Sequence, residues 1–152
     1  MKEFHLAQLN IGRILAPMDS PTMAGFAARL NDINALADNA DGFVWRLQSE
    51  SGNATDIKAF DDDFLLVNMS VWESVEQLRT YTYQTAHAEV MRNRRQWFEP
   101  HTEMYFVLWW IPAGHIPTVE EAKERLEHLR AHGETEYAFT FKKAYEQEAA
   151  YR

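Results

Sequence analysis

Met104-Tyr105-Phe106-Val107-Leu108-Trp109-Trp110-Ile111, stopped by Pro112, is the stretch that decides the fold. It is strand length and far too short to cross a membrane. Side chains alternate across a strand, so Tyr105, Val107, Trp109 and Ile111 share one face and Met104, Phe106, Leu108 and Trp110 the other. Both faces are apolar, and a strand of that kind is covered on both sides. One helical layer covers one face, and something else must cover the other.

Working outward from this last strand, three earlier strands are expected. Phe4 to Ile11 splits into a mixed face (Phe4, Leu6, Gln8, Asn10) and a more apolar one (His5, Ala7, Leu9, Ile11). Phe43 to Gln48 is the second strand. Phe64 to Trp72 is the third, with Leu65, Val67, Met69 and Val71 opposed to Leu66, Asn68, Ser70 and Trp72. Between the first two strands, Ser20-Pro21 opens a helix whose apolar face is Met23, Phe26, Ala27, Leu30, Ile33 and Ala37, closed by Gly42. Glu73-Ser74 begins a second helical region reaching about Phe98, with a break expected at Tyr81-Thr82-Tyr83. The connection from Ser49 to Asp63 is polar and long for a hairpin.

After the deciding strand, Pro112-Ala113-Gly114-His115-Ile116-Pro117 turns the chain. Thr118-Val119-Glu120-Glu121 is a capping box for a third helix, which carries Ala122, Leu126 and Leu129 and stops at Gly133. Tyr137 to Phe141 reads as a short final strand. The order βαββαβ with right-handed crossovers predicts a ferredoxin-like α+β domain. It has a four-stranded antiparallel sheet and two helices on one face, and a C-terminal helix and short strand are appended. The whole chain, 1–152, is one domain, its core at about 3–112 and its extension at 117–152. A bare apolar sheet face predicts that two copies stack back to back as a homodimeric α/β barrel.

Composition fits this. Of 152 residues 46% are apolar and 13% aromatic, ample for one packed core with aromatic surface left for a pocket or interface. There is no cysteine, hence no disulfide, thiolate zinc site or cysteine nucleophile. The N-terminal residues lack the apolar core of a signal peptide, so a cytoplasmic location is expected. A net charge of −8 argues against nucleic acid and anionic membranes as partners. No phosphate-binding glycine loop, dinucleotide fingerprint or nucleophile elbow is present. His128 and His132 have a metal-compatible spacing but lie on a charged face with no third ligand, so no metal site is expected.

Gly42-Phe43-Val44-Trp45-Arg46-Leu47, Asn68 to Ser74, Ala86-His87-Ala88-Glu89 and Trp97-Phe98 together resemble the bacterial domain of unknown function 3291 family. So does Leu108 to Ala122, the most specific block. The resemblance covers nearly the whole chain and implies the dimeric α/β-barrel superfamily. That superfamily includes antibiotic-biosynthesis and haem-degrading monooxygenases. It implies a small-molecule-binding protein and, as its enzymatic reading, one in the manner of cofactor-free monooxygenases, in which Asn and Trp side chains hold a substrate that itself activates oxygen. No cofactor is expected on that reading. The alternatives are a haem-binding or haem-degrading protein and a non-catalytic ligand-binding dimer.

The candidate catalytic residues are His87, Asn10, Asn68 and Trp72. His87 lies on the helix where haem-degrading relatives carry an axial histidine, and a neutral imidazole serves as ligand or base. Asn10 matches the strand-one Asn of those relatives. Their tryptophan does not match, because Gln77 stands ten residues before His87. Gln8, Asn10, Asn68 and Ser70 should meet on the face turned away from the two helices, as a self-satisfied network or as the lining of a ligand pocket. Gln8, Ser70, Trp45, Tyr83, Arg95 and Trp97 are candidate ligand contacts. For the tryptophans the competing reading is core or dimer interface. For Arg94 and Arg95 it is pairing with Glu89 or Glu99.

Overall fold

The computed structural model describes residues 4–48, 64–84, 86–100 and 103–143, with the backbone alone at 84, 86, 87 and 143. Its elements run β1 (Phe4–Arg13), α1 (Ala24–Asp38), β2 (Phe43–Arg46), β3 (Leu65–Trp72), α2 (Val75–Gln84), α3 (Ala86–Arg92), β4 (Phe106–Pro112) and α4 (Val119–His132). A 3-10 turn, Pro21–Met23, leads into α1. The sheet order is β2-β3-β1-β4 and every neighbouring pair is antiparallel. This is the ferredoxin-like βαββαβ arrangement expected from the sequence, with β1 and β3 at the centre.

Local signals explain the boundaries. Thr118 caps α4 by accepting the Glu121 N–H at 3.1 Å. Gly133, at φ +75°, ends that helix. Gly42, at φ +85°, makes the turn into β2, where any Cβ would collide with the Gln77 side chain. Ser74 accepts the Gln77 N–H at the start of α2. The break expected at Tyr81-Thr82-Tyr83 is not there: all three lie inside α2, which continues to Gln84, and residue 85 lies outside the described residues. Ser20 does not cap α1: its hydroxyl turns back to the Pro17 carbonyl at 2.6 Å, and a 3-10 turn intervenes. The expected final strand contracts to one bridge, Leu108 with Phe139, on the open edge of β4. The polar 49–63 connection lies outside the described residues.

The layers differ from expectation in one respect. Ala7, Leu9, Ile11, Val67, Met69, Val71, Val107, Trp109 and Ile111 form one sheet face, and α4 of the same chain packs on it through Ala122, Leu126 and Leu129. The face expected to stay bare is therefore filled from within: every one of those nine sheet residues is no more than 7% exposed. The physical case for a second copy covering it falls away, because α4 has already removed that surface from water.

The opposite face carries α1 and α2. Leu6, Trp72, Leu108 and Trp110 meet Ala37, Val75, Leu78 and Tyr81 there. A separate cluster of Ile14, Met23 and Trp97, backed by Phe26, Leu66 and Phe98, closes the other end. Between the two clusters lie Gln8, Asn10, Asn68 and Ser70. They share this helical side, not the side away from α1 and α2. The correction has a simple cause: the more apolar row of β1 was claimed by α4, which leaves the mixed row to the first two helices.

Candidate functional site

The polar belt is built by strand register. Leu6 pairs with Trp72, Gln8 with Ser70 and Asn10 with Asn68 across β1 and β3. Directly opposed residues share a face and lie close enough to interact. Ser70 Oγ accepts from the Trp72 indole N–H at 2.8 Å and from Gln8 Nε2 at 2.8 Å. Gln8 Nε2 also donates to Asn68 Oδ1 at 2.7 Å. Asn10 Nδ2 donates to Gln8 Oε1 at 3.1 Å and to Asn68 Oδ1 at 3.3 Å. Five side chains thus form one connected network that gives a partner to the buried Gln8 amide and the Trp72 indole N–H.

Exposure rises along it. Trp72 is 1% exposed, Gln8 3% and Ser70 7%, while Asn10 is half-buried and Asn68 exposed. Trp72 is locked at the inner end, edge-on to Phe43 (5.6 Å) and tilted on Tyr81 (5.0 Å). Burial pushes the Tyr81 hydroxyl well above the ordinary phenol range, with Arg46 opposing and Asp38 adding to the shift. At the outer end the Asn68 amide N–H₂ and the Asn10 carbonyl have no partner among the described residues. The helical roof above is thin: over the fifteen residues of α1 only Ala37 is fully buried. Asn68, on a central strand, is thus exposed among the described residues.

A second feature lies on the same side. Tyr83, Ala88, Met91, Arg92, Arg94 and Arg95 line an open cleft of about 450 Å³, within the range of small-molecule sites. Two rings stand between it and the belt. Tyr83 lies 5.8 Å from Phe141, and Phe141 lies 5.2 Å from Phe106, the β4 partner of Asn10. The acids expected to neutralise the arginines are engaged elsewhere. Glu89 pairs with Arg29 of α1 at 3.0 Å, and Glu99 with Arg13 of β1.

The nominated residues therefore separate. Gln8, Asn10, Asn68, Ser70 and Trp72 come together in the belt, and Tyr83 and Arg95 in the cleft. Trp97 is buried between Gly25 and Phe26 and belongs to the end cluster. Trp45 packs on the α4 side of the sheet, opposite the belt, because its β3 partner Val71 faces that way. His87 falls on α3 directly before the cleft residue Ala88, and its side chain lies outside the described residues.

One grouping escaped sequence reasoning. Glu121, read as half of a capping box, does not reach back to Thr118. Its carboxylate accepts the Trp109 indole N–H at 2.8 Å and meets His115 Nε2 at 2.8 Å. It ties the β4–α4 turn to the core, and the Trp-x₅-His-x₅-Glu spacing was the available signal.

Among the described residues no three His, Cys, Asp or Glu side chains gather as a metal site, and no helix is long and apolar enough to cross a membrane. The belt offers amides, a hydroxyl and an indole, none of them a haem-iron ligand of the usual kinds.

The model of a family described as a domain of unknown function, DUF3291, matches residues 5–152. No curated protein matches the chain. Among solved structures it is similar to PA3566 from Pseudomonas aeruginosa, at 11% identity over 76% of this chain and 98% of that one, TM-score 0.49. It is also similar to a Nitrosomonas europaea structure titled "Putative antibiotic biosynthesis monooxygenase", at 13% identity over 76% and 95%, TM-score 0.48. A third, NE2512 of unknown function from the same organism, has 12% identity over 76% and 97%, TM-score 0.47.

Proposed function

The chain belongs to the DUF3291 family, and from that premise we propose that it binds a small molecule on the helical side of its sheet, against the outer end of the amide belt. One observation carries this. The Asn68 N–H₂ and the Asn10 carbonyl, at the exposed end of the belt, have no partner among the described residues, whereas the other amide groups of the belt and its indole do. A few fixed polar groups among aromatic walls are what orient a ligand in such sites. Trp72 and Ser70 are positioning residues: they hold Gln8, and Gln8 holds both asparagines.

The test is a thermal-shift screen of small aromatic ketones and acids, with hits titrated calorimetrically against wild type, Asn10→Ala and Asn68→Ala. The reading expects a loss of affinity in both variants, compared at a temperature where all three proteins are folded, because Asn68→Ala also removes an acceptor from the buried Gln8 amide. Equal affinity in all three proteins contradicts it.

Cofactor-free oxygenation is the finer reading of the same geometry. In it the Asn68 N–H₂ would hold the oxyanion of an enolisable ligand, which would itself reduce dioxygen: its CH₂ becomes a ketone with one oxygen atom, and the other leaves as water. Oxygen uptake with a hit of that kind, absent in Asn68→Ala, supports it; binding without uptake leaves a binding protein. Haem, the other alternative, would need His87 as its ligand, since the belt supplies none. A Soret band on adding haem, lost in His87→Ala, would select it.

A further inference from the structure

We infer that the ligand class is an organic anion with an apolar body, its anionic head held by Arg92 and Arg95 in the cleft beside the belt. This rests on the preceding reading that a small molecule occupies the helical side of the sheet, and it names what kind.

Charge is the first argument. The chain carries −8, yet three arginines within four positions line one concavity. Neither nearby acid neutralises them, because Arg29 holds Glu89 and Arg13 holds Glu99. Arg94 is tethered to the wall by a 3.1 Å bond to the Tyr105 hydroxyl, with its guanidinium 5.9 Å from that ring. Arg92 and Arg95 have no partner among the described residues. A guanidinium recognises carboxylate or phosphate through paired N–H donors.

The second argument is the remaining wall. Tyr83 presents a ring that is 53% exposed, and Ala88 and Met91 add apolar surface. An exposed tyrosine with methionine beside cationic heads suits a ligand that is apolar at one end and anionic at the other. The concavity is small-molecule size, and the overall negative charge opposes a polyanion such as nucleic acid.

The probes are 1-naphthoate and its neutral counterpart 1-naphthamide, titrated calorimetrically into wild type and into Arg92→Gln/Arg95→Gln. Both arginines are exposed, so the variant should keep its melting temperature. Naphthoate should bind wild type at least about tenfold tighter than naphthamide, the size of a charge-assisted hydrogen bond. The double variant should bind the two alike. Equal binding of both probes by wild type overturns the anion inference while sparing the ligand site, and so does undiminished naphthoate binding by the variant. Failure of both probes to bind overturns both readings. Inorganic phosphate in competition separates the head groups. Displacement of naphthoate at comparable concentration would mean the cleft selects a bare anion, and the apolar body would be refuted; displacement only at far higher concentration supports it.

Discussion

Ser70→Ala should destabilise this protein out of proportion to the single oxygen atom it removes. Ser70 Oγ is the shared acceptor of two donors, the Trp72 indole N–H and Gln8 Nε2, each at 2.8 Å. Gln8 Nε2 keeps Asn68 for its other N–H, but the one that met Ser70 is left without an acceptor. Trp72 has a single N–H and loses its acceptor entirely: the ring is 1% exposed and wedged between Phe43 and Tyr81, so that donor would be left buried and unpaired. Orphaning a buried donor costs about 1–3 kcal/mol. For a chain of this length, 2 kcal/mol corresponds to roughly 4–8 °C in melting temperature. Urea unfolding followed by circular dichroism measures the loss. Trp72→Phe in the Ser70→Ala background removes the orphan, so the double variant should lose less than the sum of the two single changes, by about 1 kcal/mol or more. A Ser70→Ala variant within about 0.5 kcal/mol of wild type, or strict additivity in the cycle, would refute the claim that the inner belt is a closed, fully coupled network.

The two helical coverings should respond differently: Leu126→Ala on α4 removes a side chain that is 1% exposed and should cost about 2–5 kcal/mol, whereas Leu36→Ala on α1, at 39% exposure, should stay within about 0.5 kcal/mol; urea titrations compare them. Glu121→Ala strips the acceptor from a Trp109 indole that is fully buried, so thermal unfolding should show a loss of about 1–3 kcal/mol, most of it recovered by Glu121→Gln. Tyr81 sets an alkaline limit. Its folded hydroxyl is raised above the ordinary 10.0, so both states hold the proton below that pH and stability is flat. Above it the unfolded chain releases its proton first, and stability falls by up to about 1.4 kcal/mol per pH unit for this group. Tyr81→Phe should flatten that part of the melting profile, after an initial loss of about 1 kcal/mol from its bond to the Ile33 carbonyl.

Much of the fold was legible because its cues are local. Alternation marked the strands, Gly42 and Gly133 marked turns, and Thr118 marked the start of α4. The apolar character of both β4 faces was read correctly, but periodicity says only that a face is covered, never by what. Assigning that cover to a second copy overlooked Ala122, Leu126 and Leu129, a stripe narrow enough to look marginal yet well matched to the Ala7–Leu9–Ile11 row. The belt was legible for a related reason: Gln8, Asn10, Asn68 and Ser70 break an apolar pattern at period two, and antiparallel pairing of β1 with β3 must bring them together. Its direction was not, because the side of a sheet depends on which helix takes which row. Trp45 and Trp97 pack apart from both the belt and the cleft, which spacing could not tell, since a tryptophan has the same pattern in a wall as in a core. The freedom of Arg92 and Arg95 depends on Arg13 and Arg29, residues more than sixty positions away in sequence, and no local spacing encodes that.

The most direct test of the ligand site is the side-chain amide region of a nitrogen-15 spectrum during a naphthoate titration. The Asn10, Asn68 and Gln8 signals are identified by their disappearance in Asn10→Ala, Asn68→Ala and Gln8→Leu. The account predicts saturable shifts of the Asn68 and Asn10 amides, with Gln8 following through the hydrogen bonds that join them, while Asn39 at the far end of α1 stays still. Binding that leaves the Asn10 and Asn68 signals where they were would contradict it.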